Sequence, residues 1–363
     1  MILRARERNA KINTSKGKQN KKHKHKTEVE KMLNVGVIGC GGMGKDHIKR
    51  LTEKIQGAQV VAVSDVFEEG AKEAAKIAGG AKVYTDGKDL INDPDVDAVF
   101  IVSPGFAHTE SLLQAIEAGK RVFCEKPLAT TADDCKKIVE AEVASGKHLI
   151  QLGFMRRYDK GYVQVKEALK SGEYGEPLIL HCTHRNPEVG TNYNTPMAVH
   201  DTAIHEIDTL HWLVDDEYES AQVIMPKVTK YSHSELKDPQ IMLLRTKRGI
   251  CIDVEVFVNC KFGYDINCEV VCEDGAIKMA QPSYPSIRKD AAVSTKIDTD
   301  CFVRFKDATE VQNWVDCAKD GVINGPTAWD GYLAAVTADA LVKAQETGQI
   351  EPIHTDEKPE FYK

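Results

Sequence analysis

No stretch of this chain reaches the ~18–20 consecutive apolar residues that a membrane-spanning helix needs, so a helical integral membrane protein is excluded. Its ten cysteines include no CxxC pair, and no secretory apolar segment precedes them. Scattered thiols of this kind are expected to be reduced and mostly buried, as in the cytoplasm. Cys268 and Cys272, four apart in a strand-like run, are too isolated to suggest a metal site. The HExxH pattern of a zinc helix is also missing. His200, His205 and His211 are spaced i, i+5, i+11 and do not share the face such a site requires, so no metal is expected. Internal repeats and long internal linkers are absent as well.

Charge is present but unevenly spread. Residues 1–31 carry about +8 of a chain whose formal net charge is −7, which leaves about −15 for the remainder. An acidic body argues against nucleic acid as the main partner. The tail lacks the apolar core of a signal peptide and the Arg/Ser bias of a transit peptide. It reads as a disordered basic leader, or as an over-long start before Met32; a nucleic-acid or membrane arm is the alternative. With 363 residues and about 150 per domain, two domains are expected.

From Asn34 onward short apolar runs alternate with helical segments. Strands are expected at Val35–Ile38, Val60–Val63, Ala98–Val102, Arg121–Cys124 and Leu149–Leu152, and helices at Gly44–Ile55, Glu68–Ile77, Ala107–Ala118 and Thr131–Ala144. That alternation predicts βαβ units and a parallel sheet over 32–153. Beyond about residue 155 the pattern changes. A helix at Gly161–Leu169, a strand at Leu178–Thr183, a polar loop over 185–197 and a helix at Val199–Leu213 precede several β-rich runs (Glu219–Val223, Gln240–Thr246, Ile250–Asn259, Cys268–Cys272, Ala276–Met279). Helices at Thr309–Ala318 and Trp329–Glu346 close the chain. Residues 154–363 are therefore expected to form an α+β domain with a large, mostly antiparallel open sheet.

Four motifs carry chemistry. Gly39-Cys40-Gly41-Gly42-Met43-Gly44 follows a strand and opens a helix. In such a turn Gly39 supplies the tight bend, Gly41 lets the backbone approach a pyrophosphate, and Gly44 lets the helix pack against the sheet. Asp65 ends the next strand, about twenty residues on, where a carboxylate meets the ribose hydroxyls of NAD and repels the extra phosphate of NADP. Glu125-Lys126-Pro127 stands at the end of an expected parallel strand, where ligands of such sheets bind; a lysine there reaches the cofactor's reactive face, or is simply solvated. Asp201 and His205 are i and i+4 on a helix, so a carboxylate is expected to orient an imidazole that removes a proton from an alcohol; a surface ion pair is the alternative. Met155-Arg156-Arg157-Tyr158 follows the last parallel strand. An arginine there donates hydrogen bonds to substrate hydroxyls, unless the arginines serve packing at the domain junction.

Taken together and in this order, these motifs resemble the Gfo/Idh/MocA oxidoreductase family from Met32 to Lys363. Val122–Thr131 (VFCEKPLATT), Gly153–Tyr158 (GFMRRY), Asn186–Gly190 (NPEVG) and His205–Asp208 (HEID) carry the likeness, while Val258–Ile266 (VNCKFGYDI) and Gly325–Tyr332 (GPTAWDGY) point to the branch acting on inositols. The resemblance implies a Rossmann domain, an α+β domain used for substrate binding and assembly, a homotetramer, and NAD-dependent oxidation of myo-inositol to the 2-keto compound. It puts the catalytic groups on Lys126, Asp201 and His205, and the inositol contacts on Lys126, Met155, Arg156, His184, Asn186, Asp201, His205 and Tyr264. Cofactor contacts are expected at Gly39, Gly41, Gly42, Met43, Gly44, Asp65, Ser103, Glu125 and Lys126. Residues 300–314 depart from the branch's pattern, and His200 is an unexpected neighbour of Asp201. Rival readings are a dehydrogenase of scyllo-inositol, D-chiro-inositol or glucose, a non-catalytic NAD-binding regulator, and an NAD-dependent glycoside hydrolase.

Overall fold

The computed structural model describes residues 32–280, 286–295 and 309–363. The basic tail and the part of the 300–314 segment before residue 309 lie outside the described residues.

The first sheet has six parallel strands: β1 (Leu33–Ile38), β2 (Ala58–Ser64), β3 (Lys82–Tyr84), β4 (Ala98–Ile101), β5 (Arg121–Glu125) and β6 (Ile150–Gly153), in the order β3-β2-β1-β4-β5-β6. All four residues of both β4 and β6 are buried. Strands buried along their whole length suit a parallel sheet covered on both faces. Helices α1 (Gly42–Glu53), α2 (Glu68–Ile77), α3 (Gly87–Ile91), α4 (His108–Glu117) and α5 (Ala132–Ser145) connect the strands. Strand order reverses at β1, which lies between β2 and β4; a crevice opens at the C-terminal strand ends of such a switch point.

After α6 (Lys160–Ser171), the second sheet uses β7 (Pro177–Arg185), and a helix then ends in α7 (Ile204–Val214). The sheet is completed by β8 (Tyr218–Ile224), β9 (Gln240–Thr246), β10 (Cys251–Phe257), β11 (Asp265–Cys272) and β12 (Ala276–Lys278). A separate hairpin pairs β13 (Ser286–Lys289) with β14 (Ala292–Thr295). Helices α8 (Thr309–Asp320) and α9 (Ala328–Thr347) precede the edge strand β15 (Glu351–Pro352). The order is β12-β11-β7-β10-β9-β8-β15, antiparallel except for the β7–β10 pair. Burial alternates residue by residue along β11, so one face of this sheet is covered and the other is open. Ile179 and Ile224 are among the large apolar residues left exposed on it.

The end of the chain returns to the first sheet. Trp314 of α8 packs edge-on against Phe100 at 4.9 Å and also against Phe123. Buried Glu142 of α5 accepts hydrogen bonds from the Leu149 and Ile150 amides and from the Tyr362 hydroxyl. Residues 32–363 accordingly form one compact unit.

Three details depart from the sequence reading. The short elements β3, α3 and β15 carry too few residues to show a period, and were not expected. β7 runs on to Arg185, which brings His184 into the sheet. The helix expected over Val199–Leu213 begins with a π-helical turn, Ala198–Ala203, before α7. Such turns insert one residue into the helical path and recur at functional sites.

Candidate active site

The glycine turn sits where its residue types require. Gly39 has φ +95°, in the left-handed region, and a side chain there would strike the Ser103 amide. A Cβ on Gly44 would meet the Gly39 carbonyl oxygen at 1.9 Å. Around Gly41 and Gly42 there is, by contrast, open space. The N-terminus of α1 has no side-chain cap and no acidic residue in its first turn, so its free amides suit a phosphate group. Asp65 accepts from the Cys40 amide at 2.7 Å and from the Phe67 amide at 2.9 Å, which fixes a carboxylate at the end of β2. These features fit a dinucleotide.

Beside this turn lies a cleft of about 450 Å³ at the C-terminal edge of the first sheet. Met43, Ser103, Glu125 and Lys126 line it on the cofactor side. Met155, His184, Asn186, Asp201, His205 and Tyr264 line it as well. Lys126 and His205, placed far apart in the sequence, thus share one cavity. Gly39, Gly41, Gly42, Gly44 and Asp65 do not line the cleft itself; the glycines form the turn that holds Met43, and Asp65 braces that turn from the end of β2. Arg156 is also not on its wall.

Lys126 Nζ donates to the Asp201 backbone oxygen at 3.0 Å and lies 4.0 Å from the Asp201 carboxylate. The expected hydrogen bond from Asp201 to His205 is not formed. The Asp201 side chain is half exposed and drawn to Lys126, while His205 is turned inward and its Nδ1 is buried without a partner. The preceding turn is π-helical, so regular i, i+4 geometry does not govern the pair. Burial, followed by the positive charges of Lys126 and Arg156 and by His184, holds the His205 imidazole well below its usual range. The ring is therefore neutral and able to accept a proton.

An imidazole–carboxylate pair is formed instead by His184. His184 Nδ1 is 2.8 Å from Glu206 Oε2, and both side chains are buried. Glu206 is also ion-paired with Arg156, and the Arg156 guanidinium lies 3.2 Å from His184 Nδ1. Arg156 is 1% exposed and stands behind His184 rather than facing the cleft, which corrects the expectation that it donates directly to a substrate. Arg157 bridges Asp208 and Asp330, tying α7 to α9. Arg156 thus joins Glu206 to His184, and Arg157 joins α7 to α9. Burial lowers the His184 imidazole, as do the charges of Arg156 and Lys126. With Glu206 taking the Nδ1 proton, Nε2 is left as an acceptor; Asn186 approaches it at 3.5 Å. Tyr264 stands edge-on to the same imidazole.

Sequence reasoning missed several residues. His47 and Arg50 line the cleft with Met43; the i, i+4, i+7 spacing on α1 was the available signal. His47 Nε2 is 2.7 Å from Glu125 Oε1. Burial pushes the Glu125 carboxyl up, but the bond to His47 and the charge of Lys126 outweigh it and hold it below its usual value. Thr202 is held by the Tyr193 hydroxyl at 2.7 Å. Glu206 sits next to His205 in sequence and was passed over. Glu310 reaches the cleft from α8 and gave no signal. Among the described residues, no cluster of three or more His, Cys, Asp or Glu could hold a metal ion.

Comparison with known proteins adds to this geometry. Residues 33–154 match the family described as an oxidoreductase family with an NAD-binding Rossmann fold, and residues 166–354 match its C-terminal alpha/beta domain. Inositol 2-dehydrogenases of Pseudomonas syringae pv. syringae and Serratia proteamaculans are each 53% identical over 333 residues, which is 91% of this chain and 99% of theirs. The crystal structure of myo-inositol dehydrogenase from Lactobacillus casei, in complex with NAD(H) and myo-inositol, superposes with a TM-score of 0.89 at 44% identity, over 92% of this chain and 100% of that one. Scyllo-inositol dehydrogenase from the same organism gives 0.83 at 26% identity, over 89% of this chain and 99% of that one.

Proposed function

The chain belongs to the Gfo/Idh/MocA oxidoreductase family, and on that premise we propose that it is an inositol 2-dehydrogenase, oxidising myo-inositol to the 2-keto compound with NAD. The observation that carries this reading is the shared cleft of Lys126 and His205 beside the glycine turn. The likeness to inositol 2-dehydrogenases over nearly their whole length supports the substrate.

Bound NAD supplies a hydride acceptor; the glycine turn, the α1 N-terminus and Asp65 would hold it. The chain's own groups do the rest. Neutral His205 takes the hydroxyl proton. Lys126 donates to the reacting oxygen and stabilises negative charge on it. Asp201 keeps the Lys126 side chain in place through its carbonyl and carboxylate. His184, Asn186 and Tyr264 offer convergent polar groups to the other hydroxyls, and Arg156 acts through Glu206 to hold His184. A site of this kind rejects deoxy analogues, whose missing hydroxyls leave buried polar groups unpaired.

The test is an NADH-absorbance screen of the purified protein against myo-inositol, scyllo-inositol, D-chiro-inositol and glucose. Myo-inositol is expected to give the highest kcat/KM. A higher value for another polyol would reassign the substrate, and no NADH from any of them would leave a regulator or a hydrolase.

Residues 32–153 serve in this reading as the cofactor domain and 154–363 as the substrate and assembly domain. No described helix is long and apolar enough to cross a membrane. A cytoplasmic location, with neither membrane nor nucleic acid as a partner, belongs to the same proposal. The protein assembles as a homotetramer through the open face of the second sheet, where Ile179 and Ile224 are exposed. A light-scattering mass of four chains is expected; a monomer's mass would refute the assembly.

A further inference from the structure

Two side chains in the cofactor half of the cleft are buried with a polar atom unpaired. Glu310 is 5% exposed and its Oε1 has no hydrogen-bond partner; His47 is 1% exposed and its Nδ1 has none. Leaving such atoms unmet is costly, so on the wall of a ligand cleft they mark where a polar group of the ligand comes to rest.

The position of Glu310 narrows what that group is. It lies one turn before Trp314 on α8, so both share a helix face. The Trp314 ring packs on Phe100 and Phe123, and the His47 ring packs on the same two phenylalanines at 5.6 and 5.7 Å. Glu310 therefore stands on the helix that covers Phe100 of β4 and Phe123 of β5, and it lines the same cleft as the His47–Glu125 pair and Lys126. Burial, followed by the negative charge of Glu125, pushes its carboxyl well above the usual range, against the opposing charge of Arg50. Glu125 and Glu310 are thus driven in opposite directions, the first toward its ionised form and the second toward its protonated form. A protonated carboxyl presents one O–H donor and one C=O acceptor side by side. A primary carboxamide is the neutral group that meets both at once, with its own carbonyl and N–H.

We propose that Glu310 anchors the cofactor's nicotinamide, pairing its carboxyl group with the ring's carboxamide. The proposal rests on the NAD-binding assignment and not on the identity of the polyol.

The experiment measures equilibrium binding of NADH and of ADP-ribose, which has no nicotinamide, to the whole protein without any polyol. Glu310→Ala is expected to weaken NADH by about 10-fold while ADP-ribose stays within about 2-fold, the scale of losing hydrogen bonds to one group. Glu310→Gln, which keeps a donor and an acceptor, should hold NADH within about 3-fold. Equal weakening of both ligands in Glu310→Ala, or no change for NADH, overturns the proposal. A second measurement needs no variant. Reduced 3-acetylpyridine adenine dinucleotide, in which a methyl replaces the amide nitrogen, should bind the unaltered protein about 10-fold more weakly than NADH; equal binding overturns the proposal too. Because no polyol is present, failure here leaves the substrate assignment standing, and failure of that assignment leaves this result readable.

Discussion

Lys126→Met is expected to lower kcat with myo-inositol by about 10²–10³-fold while NADH still binds, the scale of removing one preorganised donor from a developing oxyanion. The side chain is partly exposed and contacts Asp201 rather than the core, so an apolar residue of similar length leaves the fold intact. The loss should fall on kcat, because the donor matters most once the C–H bond is breaking. A second readout follows from electrostatics. The positive charge of Lys126 is one of the influences that lower the His205 imidazole. His205 must be neutral to take a proton, so activity fails as pH falls through its pKa. Removing the lysine moves that pKa upward, and the acid limb of the rate profile should shift to higher pH. Steady-state kinetics across pH check both effects. Near-normal turnover, or a large loss with an unmoved acid limb, would remove Lys126 from the reaction.

Arg156→Met is expected to cost about 3–5 kcal/mol of stability, because it leaves the Glu206 carboxylate buried without its cation. Both side chains are 1% exposed, so solvent cannot take over the lost partner. The double variant Arg156→Met/Glu206→Leu removes both charges and should regain most of that stability, as replacing a whole buried pair by apolar groups often does. It should not regain activity. Without Glu206, nothing fixes the Nδ1 proton of His184, and the ring loses its orientation in the cleft. Urea unfolding with parallel measurement of kcat/KM separates the two consequences. A single variant as stable as the parent, or a double variant with full activity, would show that this buried pair does not hold the site.

The parallel sheet and its glycine turn could be read directly, since both depend on local spacing. Gly39, Gly44, Asp65 and Lys126 act through the chain segment they stand in, and each is found where its neighbours imply. Partner choice was harder to read. Asp201 and His205 are close in sequence, yet Asp201 pairs with a lysine 75 residues away. The carboxylate beside His184 is Glu206, 22 residues downstream on α7. Arg156 looked like a donor to substrate because nothing in its own segment told of Glu206. Glu310 was beyond reach for a similar reason. It arrives on a helix from the end of the chain, and only the packing of Trp314 on Phe100 reveals which surface that helix covers.

β7 carries two sets of instructions in one reading frame. His184 is directed into the covered side of the sheet, whereas Thr183 and Arg185, on either side of it, belong to the opposite side. Substitutions in the outward set can therefore alter the open face without touching chemistry. A single inserted or deleted residue within the strand would do the reverse, trading the two sets at once. Evolution can drift along one side of this strand freely, but it cannot change the strand's length by one.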